Sequence, residues 1–397
     1  MSTLHQFGLV LSLALGLAAA SPAMVEAVCS GSTLPTLAAN MAAGEWCQLA
    51  TINNTGNQDV MGMNGVTGIV ACTTSDYLSQ FSNNTAWDPI NQRLHYVGAT
   101  HGNCYTGWHV VYSAATNAWT TDTWPGGCQF GSPTAPCFNH PYDFNTIDPT
   151  TGDHYIRHYG VDLTMQHGHS ANGLNLSYTL TSAVPTSTQG FPVMKYFTEL
   201  GGVVWADPDF GVYLWTKATN SWTRLANTST GGPSPVTLWG SGSACANSTG
   251  STGAYSPTKR VFIFSGGGGC TTVWKLDQNR TWTQMPNAPA GIGINVSSLV
   301  ADPASGDFLL LSNGSTTMRR LNPDGTGTWS TVSQTLPAVM SAGLGPGDGL
   351  TAAADTTHGV VIYVKYTGSS TQMWLFKLSP SSPNQPAPAP PIGLNTR

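Results

Sequence analysis

Apolar positions along the 397-residue chain fall in short runs, each bounded by Gly, Pro, Asp, Asn or Ser. Runs of this kind, without a helical repeat, predict strands joined by tight turns. One polar turn before a strand recurs along the sequence. It appears as Trp87-Asp88-Pro89 before Arg93–Ala99 and as Ile147-Asp148-Pro149 before Asp153–Gly160. It returns as Tyr255-Ser256-Pro257 before Arg260–Gly266, as Ala301-Asp302-Pro303 before Asp307–Gly314, and as Ala354-Asp355-Thr356 before Gly359–Tyr366. An Asp-Pro pair presets a turn because the ring fixes φ and the carboxylate accepts local backbone N–H groups.

A second signal is a strand, a polar turn and a Trp. Tyr112–Trp119 and Leu214–Trp222 are near duplicates, Trp274–Trp282 and Met318–Trp329 are looser copies, and Tyr178 stands where the second unit should carry its Trp. Units of roughly 45–60 residues match four-stranded propeller blades. The last unit offers strands at Leu350–Ala354, Gly359–Tyr366 and Gln372–Leu378 only. Its fourth is available at the other end, in Glu45-Trp46-Cys47-Gln48-Leu49, and pairing the two would remove an exposed edge. The sequence therefore predicts an all-β chain of six four-stranded antiparallel blades, closed by an N-terminal strand. Seven blades remain open if residues 53–81 build a sheet of their own. Asp207-Pro208 lies too close to Trp222 to be the usual first turn, so it is predicted to join different strands.

The turn-Trp pattern resembles kelch-type propellers, including the propeller part of galactose-oxidase-like proteins, and Gly102–Trp119 is its most kelch-like piece. The resemblance covers most of residues 45–378 and implies a fold, not an activity. The copper enzymes of that group take metal ligands from a further C-terminal domain; this sequence has a Pro-rich stretch, Ser379–Pro391, in that place.

Residues 1–27 read as a signal peptide, with an apolar core at Phe7–Ala20 and small residues at Ala20, Ala23 and Ala27, although the leading segment carries His5 and no Lys or Arg. Residues 28–378 are then the propeller and 379–397 a tail. Eight cysteines without a C-x-x-C pair fit disulfides of a secreted, extracellular or periplasmic protein. Cys245–Cys270 is the expected local bridge. Sequons from Asn53 to Asn313 would mark glycosylated loops in a eukaryotic host. Charged residues are 8% of the chain and the net charge is −5, which excludes a clustered basic surface for nucleic acid or an anionic membrane. A monomer is expected.

Strand alternation assigns the long loops to one face of the ring and the repetitive turns to the other. Those long loops, around 99–107, 120–139, 160–168 and 183–190, hold most of the unusual residues. Of ten histidines, eight lie between His95 and His169. His101, His140 and His158 are predicted to meet at the long-loop mouth, whereas His95 reads as structural. Arg157 is the only Lys or Arg between Arg93 and Lys195, in a strand otherwise built for burial.

Two glutamates after the signal segment, Glu45 and Glu199, with most aspartates in turns, argue against a paired-carboxylate glycosidase. Sialidase and Ser-hydrolase signatures are missing. Zinc ligation by His154 with His158, or by His167 with His169, is a third option, and no cofactor is otherwise expected. Uronate β-elimination needs a cation for the carboxylate, a base and an acid, which His, Tyr and Arg supply. In fold and site composition the chain resembles propeller polysaccharide lyases of the ulvan-lyase type. That resemblance implies a catalytic set of His101, His140, Tyr142, Arg157 and His158. Tyr159, Tyr196, Trp108 and Trp124 would contact an acidic polysaccharide. The rival is a non-catalytic binding propeller for glycan or protein.

Overall fold

The structure is a computed structural model that describes residues 29, 31–53, 85–99, 107–122, 142–157, 164–174, 176–184, 192–207, 211–226, 250–265, 267–294, 296–342, 349–366 and 371–378. After helix α1 (Leu34–Asn40) come β1 (Trp46–Leu49) and β2 (Ile52–Asn53). Blade 1 is β3 (Thr85–Asp88), β4 (Arg93–Ala99), β5 (Gly107–Ser113) and β6 (Ala118–Thr121). Blade 2 is β7 (Asn145–Ile147), β8 (His154–Arg157), β9 (Thr164–His169) and β10 (Ser177–Ala183). Blade 3 is β11 (Val193–Phe197), β12 (Gly202–Asp207), β13 (Gly211–Thr216) and β14 (Ser221–Ala226). Blade 4 is β15 (Thr252–Ser256), β16 (Val261–Ser265), β17 (Val273–Asp277) and β18 (Trp282–Met285). Blade 5 is β19 (Ser297–Ala301), β20 (Phe308–Ser312), β21 (Met318–Asn322) and β22 (Thr328–Thr331). Blade 6 joins β23 (Leu350–Asp355), β24 (Val360–Tyr366) and β25 (Thr371–Phe376) to β1.

All these blade pairings are antiparallel, and each innermost strand touches that of the next blade, with β23 returning to β3. The chain is a six-bladed β-propeller. The expected closure is present: Trp46 pairs with Phe376 and Leu49 with Met373. Lys377 Nζ donates to the carbonyls of Ala38 and Met41, and Cys29 is disulfide-bonded to Cys47, so α1 is strapped to the seam. Cys270 is also disulfide-bonded; its expected partner Cys245 lies outside the described residues, as do the signal segment and the tail. Part of the segment weighed as a seventh sheet is visible: Ile52–Asn53 adds to the outside of blade 1, parallel to β6.

The local sequence explains the layers. Second strands are covered on both faces by neighbouring blades, so β16 (Val-Phe-Ile-Phe-Ser) is buried throughout. Each such Phe or Ile contributes about 1.5–3 kcal/mol by leaving water. Innermost strands converge on the axis and are built from small residues such as Thr85, Gly253, Ala254, Ser298 and Ala353, which leave a cavity of about 140 Å³. Fourth strands carry the repeated aromatic: Trp119, Trp222, Trp282, Trp329 and Trp46 sit opposite Tyr112, Trp215, Leu276, Leu321 and Phe376. Tyr178 takes that place in blade 2, opposite Gly168.

The first turn of most blades is one device used repeatedly. Asp88 Oδ1 accepts the N–H groups of Ile90 and Asn91, Asp148 Oδ1 that of Thr150, Asp302 Oδ2 that of Ser305, and Asp355 Oδ1 those of Thr357 and His358. Four residues after the capping Asp or Ser the backbone turns left-handed, at Gln92, Gly152, Arg260, Gly306 and Gly359. Glycine is favoured there because a Cβ costs about 1 kcal/mol at positive φ. Blade 3 departs from this, as predicted: a 3₁₀ turn (Thr198–Leu200) joins its first two strands, and Asp207-Pro208 follows the second.

Candidate functional site

Two neighbouring strands of blade 1 and one of blade 2 bring three imidazoles together. On β4 and β5, His95 pairs with Val111 and Val97 with His109, so alternation sets His95 and His109 diagonally on one face. His154 projects from β8 into the same gap. All three are buried, their ring centroids lie 5.1–5.2 Å apart, and one nitrogen of each falls within 4.8 Å of the others. His95 Nδ1 is 3.0 Å from His109 Nε2. His109 Nδ1 faces Asp122 Oδ2 at 3.7 Å, and His154 contacts the Tyr178 hydroxyl through Nδ1 (2.7 Å) and Asn145 Oδ1 through Nε2. Desolvation, followed by the neighbouring rings, holds His95 and His154 well below the ordinary imidazole range, so both are neutral at pH 7.

Gly168 makes this arrangement possible. A Cβ there would lie 2.4 Å from Tyr178 Cε1. With no side chain at that point, the phenol lies across the strand and reaches His154, where other blades stack their fourth-strand ring on a bulky partner.

The opposite face of β8 carries Tyr155 and Arg157. The Tyr155 ring stacks on His167 (4.9 Å) and Tyr196 (5.8 Å). Arg157 is fully buried, its guanidinium carbon 4.5 Å over the Trp205 ring and 5.5 Å over Phe144. Tyr142 meets the same Phe144 edge-on at 5.6 Å and has positive φ. Tyr142 and Arg157 thus share one aromatic wall between blades 2 and 3. Tyr196 lines the central cavity; its N–H donates to Thr146 Oγ1, and burial, then Asp148, pushes its phenol up. Trp108 lies on β5, opposite Gly98. His101, His140, His158, Tyr159 and Trp124 lie outside the described residues.

His167 and His169, weighed as a zinc pair, converge instead on a carboxylate. Asp153 Oδ2 is 3.0 Å from His167 Nε2, its Oδ1 is 2.6 Å from His169 Nδ1, and Lys217 Nζ also bonds to it. Burial alone would raise this carboxyl, but the hydrogen bonds from His167 and Lys217 outweigh it and hold it well below the usual range. Asp143 is bonded to Lys195, Thr252 Oγ1 and the Gly253 N–H in the cavity wall. Desolvation nonetheless pushes Asp143 up. The sequence does not reveal the Asp143–Lys195 pair, and it offers His154 as a zinc ligand with His158 rather than with His95 and His109. Same-face alternation was available for His95 and His109; the approach of His154 from the next blade was not.

No protein-family model matches the chain, and no curated protein matches it. A Bacteroides thetaiotaomicron protein of unknown function has a similar structure, aligning over 83% of this chain and 76% of its own at 12% identity, with a TM-score of 0.53. An auxiliary nutrient-binding protein from Bacteroides ovatus aligns over 75% and 69% (12% identity, TM-score 0.49). A fungal alcohol oxidase of the AA5 family, in complex with copper, aligns over 74% and 73% (11%, 0.44). At such identities the likeness is one of fold.

Proposed function

We propose that the chain is a secreted, monomeric, carbohydrate-active propeller that engages an acidic polysaccharide at its long-loop face and cleaves it by β-elimination. The observation that carries this is the contrast between the two faces. On one, Asp88, Asp148, Asp302 and Asp355 are committed to capping their own turns. Few carboxylates are left for paired-carboxylate hydrolysis, while by sequence His101 and Trp124 fall in the loops of the other face, and His140, His158 and Tyr159 at strand ends beside them. His101 neutralises the uronate carboxylate, and His140 or Tyr142 exchanges protons with the sugar carbon and the departing oxygen. Arg157, sealed between Phe144 and Trp205, holds the wall against which Tyr142 rests. Trp108, Trp124, Tyr159 and Tyr196 are the reserve of sugar-stacking or hydrogen-bonding groups.

Incubating the secreted protein with a panel of uronate polysaccharides tests this, with ultraviolet absorbance of unsaturated uronate as the readout. Absorbance that rises with the wild type and falls at least about 100-fold in rate with H140A supports elimination. No signal on any substrate, with glycan binding unchanged in H140A, favours the second reading, a binding propeller without catalysis. The complete burial of Arg157 favours that alternative, because a guanidinium held over an indole away from solvent is poorly placed to grip a sugar carboxylate.

A further inference from the structure

The junction of blades 1 and 2 has a hydrogen-bond inventory that does not close. Asn145 Nδ2 donates to the His95 carbonyl (3.2 Å), so its Oδ1 is the acceptor facing His154 Nε2. His154 Nε2 then carries the proton, and Nδ1 accepts from the Tyr178 hydroxyl. The Asp122 carboxylate beside His109 Nδ1 favours the proton there, which leaves a lone pair on His109 Nε2 toward His95 Nδ1. Among the described residues, His95 is left with a buried Nε2 that has no hydrogen-bond partner. An unpaired nitrogen in a fully buried site is destabilising.

We propose that His95, His109 and His154 form a binding site for a divalent transition-metal ion of the zinc–copper class, which ties blade 1 to blade 2. Each ring offers a nitrogen within 4.8 Å of the other two, and the closest pair is already 3.0 Å apart. Two imidazole nitrogens on one tetrahedral zinc lie about 3.3 Å apart, so ligation asks the rings to close on the ion, with His154 exchanging one of its two hydrogen bonds for it. An all-imidazole donor set suits zinc, copper or nickel and excludes calcium and magnesium. The surroundings can orient ligating histidines: a carboxylate beside His109, and, once His154 exchanges one of its two contacts for the ion, the remaining amide oxygen or phenol against its other nitrogen. This site is distinct from the glycan-facing loops, and neither proposal depends on the other.

The test is metal analysis of the full-length secreted protein, purified without chelator and without a metal-affinity column. We expect about one equivalent of zinc or copper in the wild type and in H169Q, and at least about a tenfold loss in H95F. Chelator should lower the wild-type melting midpoint by about 3–5 °C, with recovery on adding zinc chloride, and leave H95F unmoved. Should H95F fail to fold, cobalt(II) titration of chelator-treated wild type gives the answer without a variant: intense visible bands support nitrogen ligation at low coordination number. Wild type that carries no metal, shows no cobalt bands and melts unchanged with added zinc, copper or nickel overturns the proposal. Metal retained by folded H95F overturns it equally. Polysaccharide cleavage is read separately, so the two proposals fail independently.

Discussion

The junction between blades 4 and 5 and that between blades 1 and 2 solve the same packing problem with opposite materials. At the first, Ile263, Val273, Met285, Phe308, Leu310 and Leu321 interlock as an apolar layer, beside which Lys275 Nζ donates to the carbonyls of Pro323 and Gly325. At the second, the apolar cluster reduces to Val97 and Ile156 with Tyr178 beside them, and three histidines occupy the remaining space. Apolar burial needs only shape, so blades 4 and 5 follow the repeat closely. The polar junction requires specific partners for each nitrogen, and it occurs where blade 2 breaks the repeat, with Tyr178 for Trp and Gly168 for a bulky residue.

The largest test of that contrast is F308A. It removes a fully buried ring at the apolar junction and should cost about 3–5 kcal/mol in a denaturant titration. G168A at the polar junction comes next. Its methyl would displace Tyr178 from His154, for a loss of about 2–3 kcal/mol, and a smaller cost than that of F308A is expected because exposed turns can relax around the phenol. D153N should follow, at about 1–2 kcal/mol near neutral pH. The Asp153 carboxyl lies below its unfolded value in the folded protein, so its contribution is complete above the ordinary carboxylate range and fades as pH falls through the folded value. The wild-type melting midpoint should therefore drop on acidification below about pH 4 more steeply than that of D153N. Equal slopes would show that the His167–His169–Lys217 cluster contributes nothing through this group. The smallest effect is in the turns. G359A meets no neighbour but sits at positive φ, for about 1 kcal/mol; G306A adds contact with Ser256 and Thr258 and should exceed it.

Much of the fold was legible because a propeller writes each blade into the sequence again. The Asp-capped turn, the fourth-strand Trp and even the Asp207-Pro208 exception could be read from spacing, and the isolated Trp46 strand could be matched to the blade lacking one. The candidate site was far less legible. Alternation gives the face of His95 within its own sheet, but which histidine of the next blade meets it depends on the angle between blades, and no local pattern encodes that angle. Arg157 shows the same limit from the other side: a lone cation in an apolar strand could be read from sequence, but not that its guanidinium lies over aromatic rings of blades 2 and 3. The Cys29–Cys47 bond was likewise unreadable, since it depends on α1 folding back over the seam.

That seam also sets an order of events. Trp46 is made before the other five blades and its partner Phe376 after them, so the sixth sheet waits for all five before it is complete. Until then β1 lacks its partner and presents unpaired backbone able to recruit a stray strand from another molecule. A product cut short before β25 would keep five sheets and still be unable to lock, so a check on the sixth blade is built into the last pair of strands to meet.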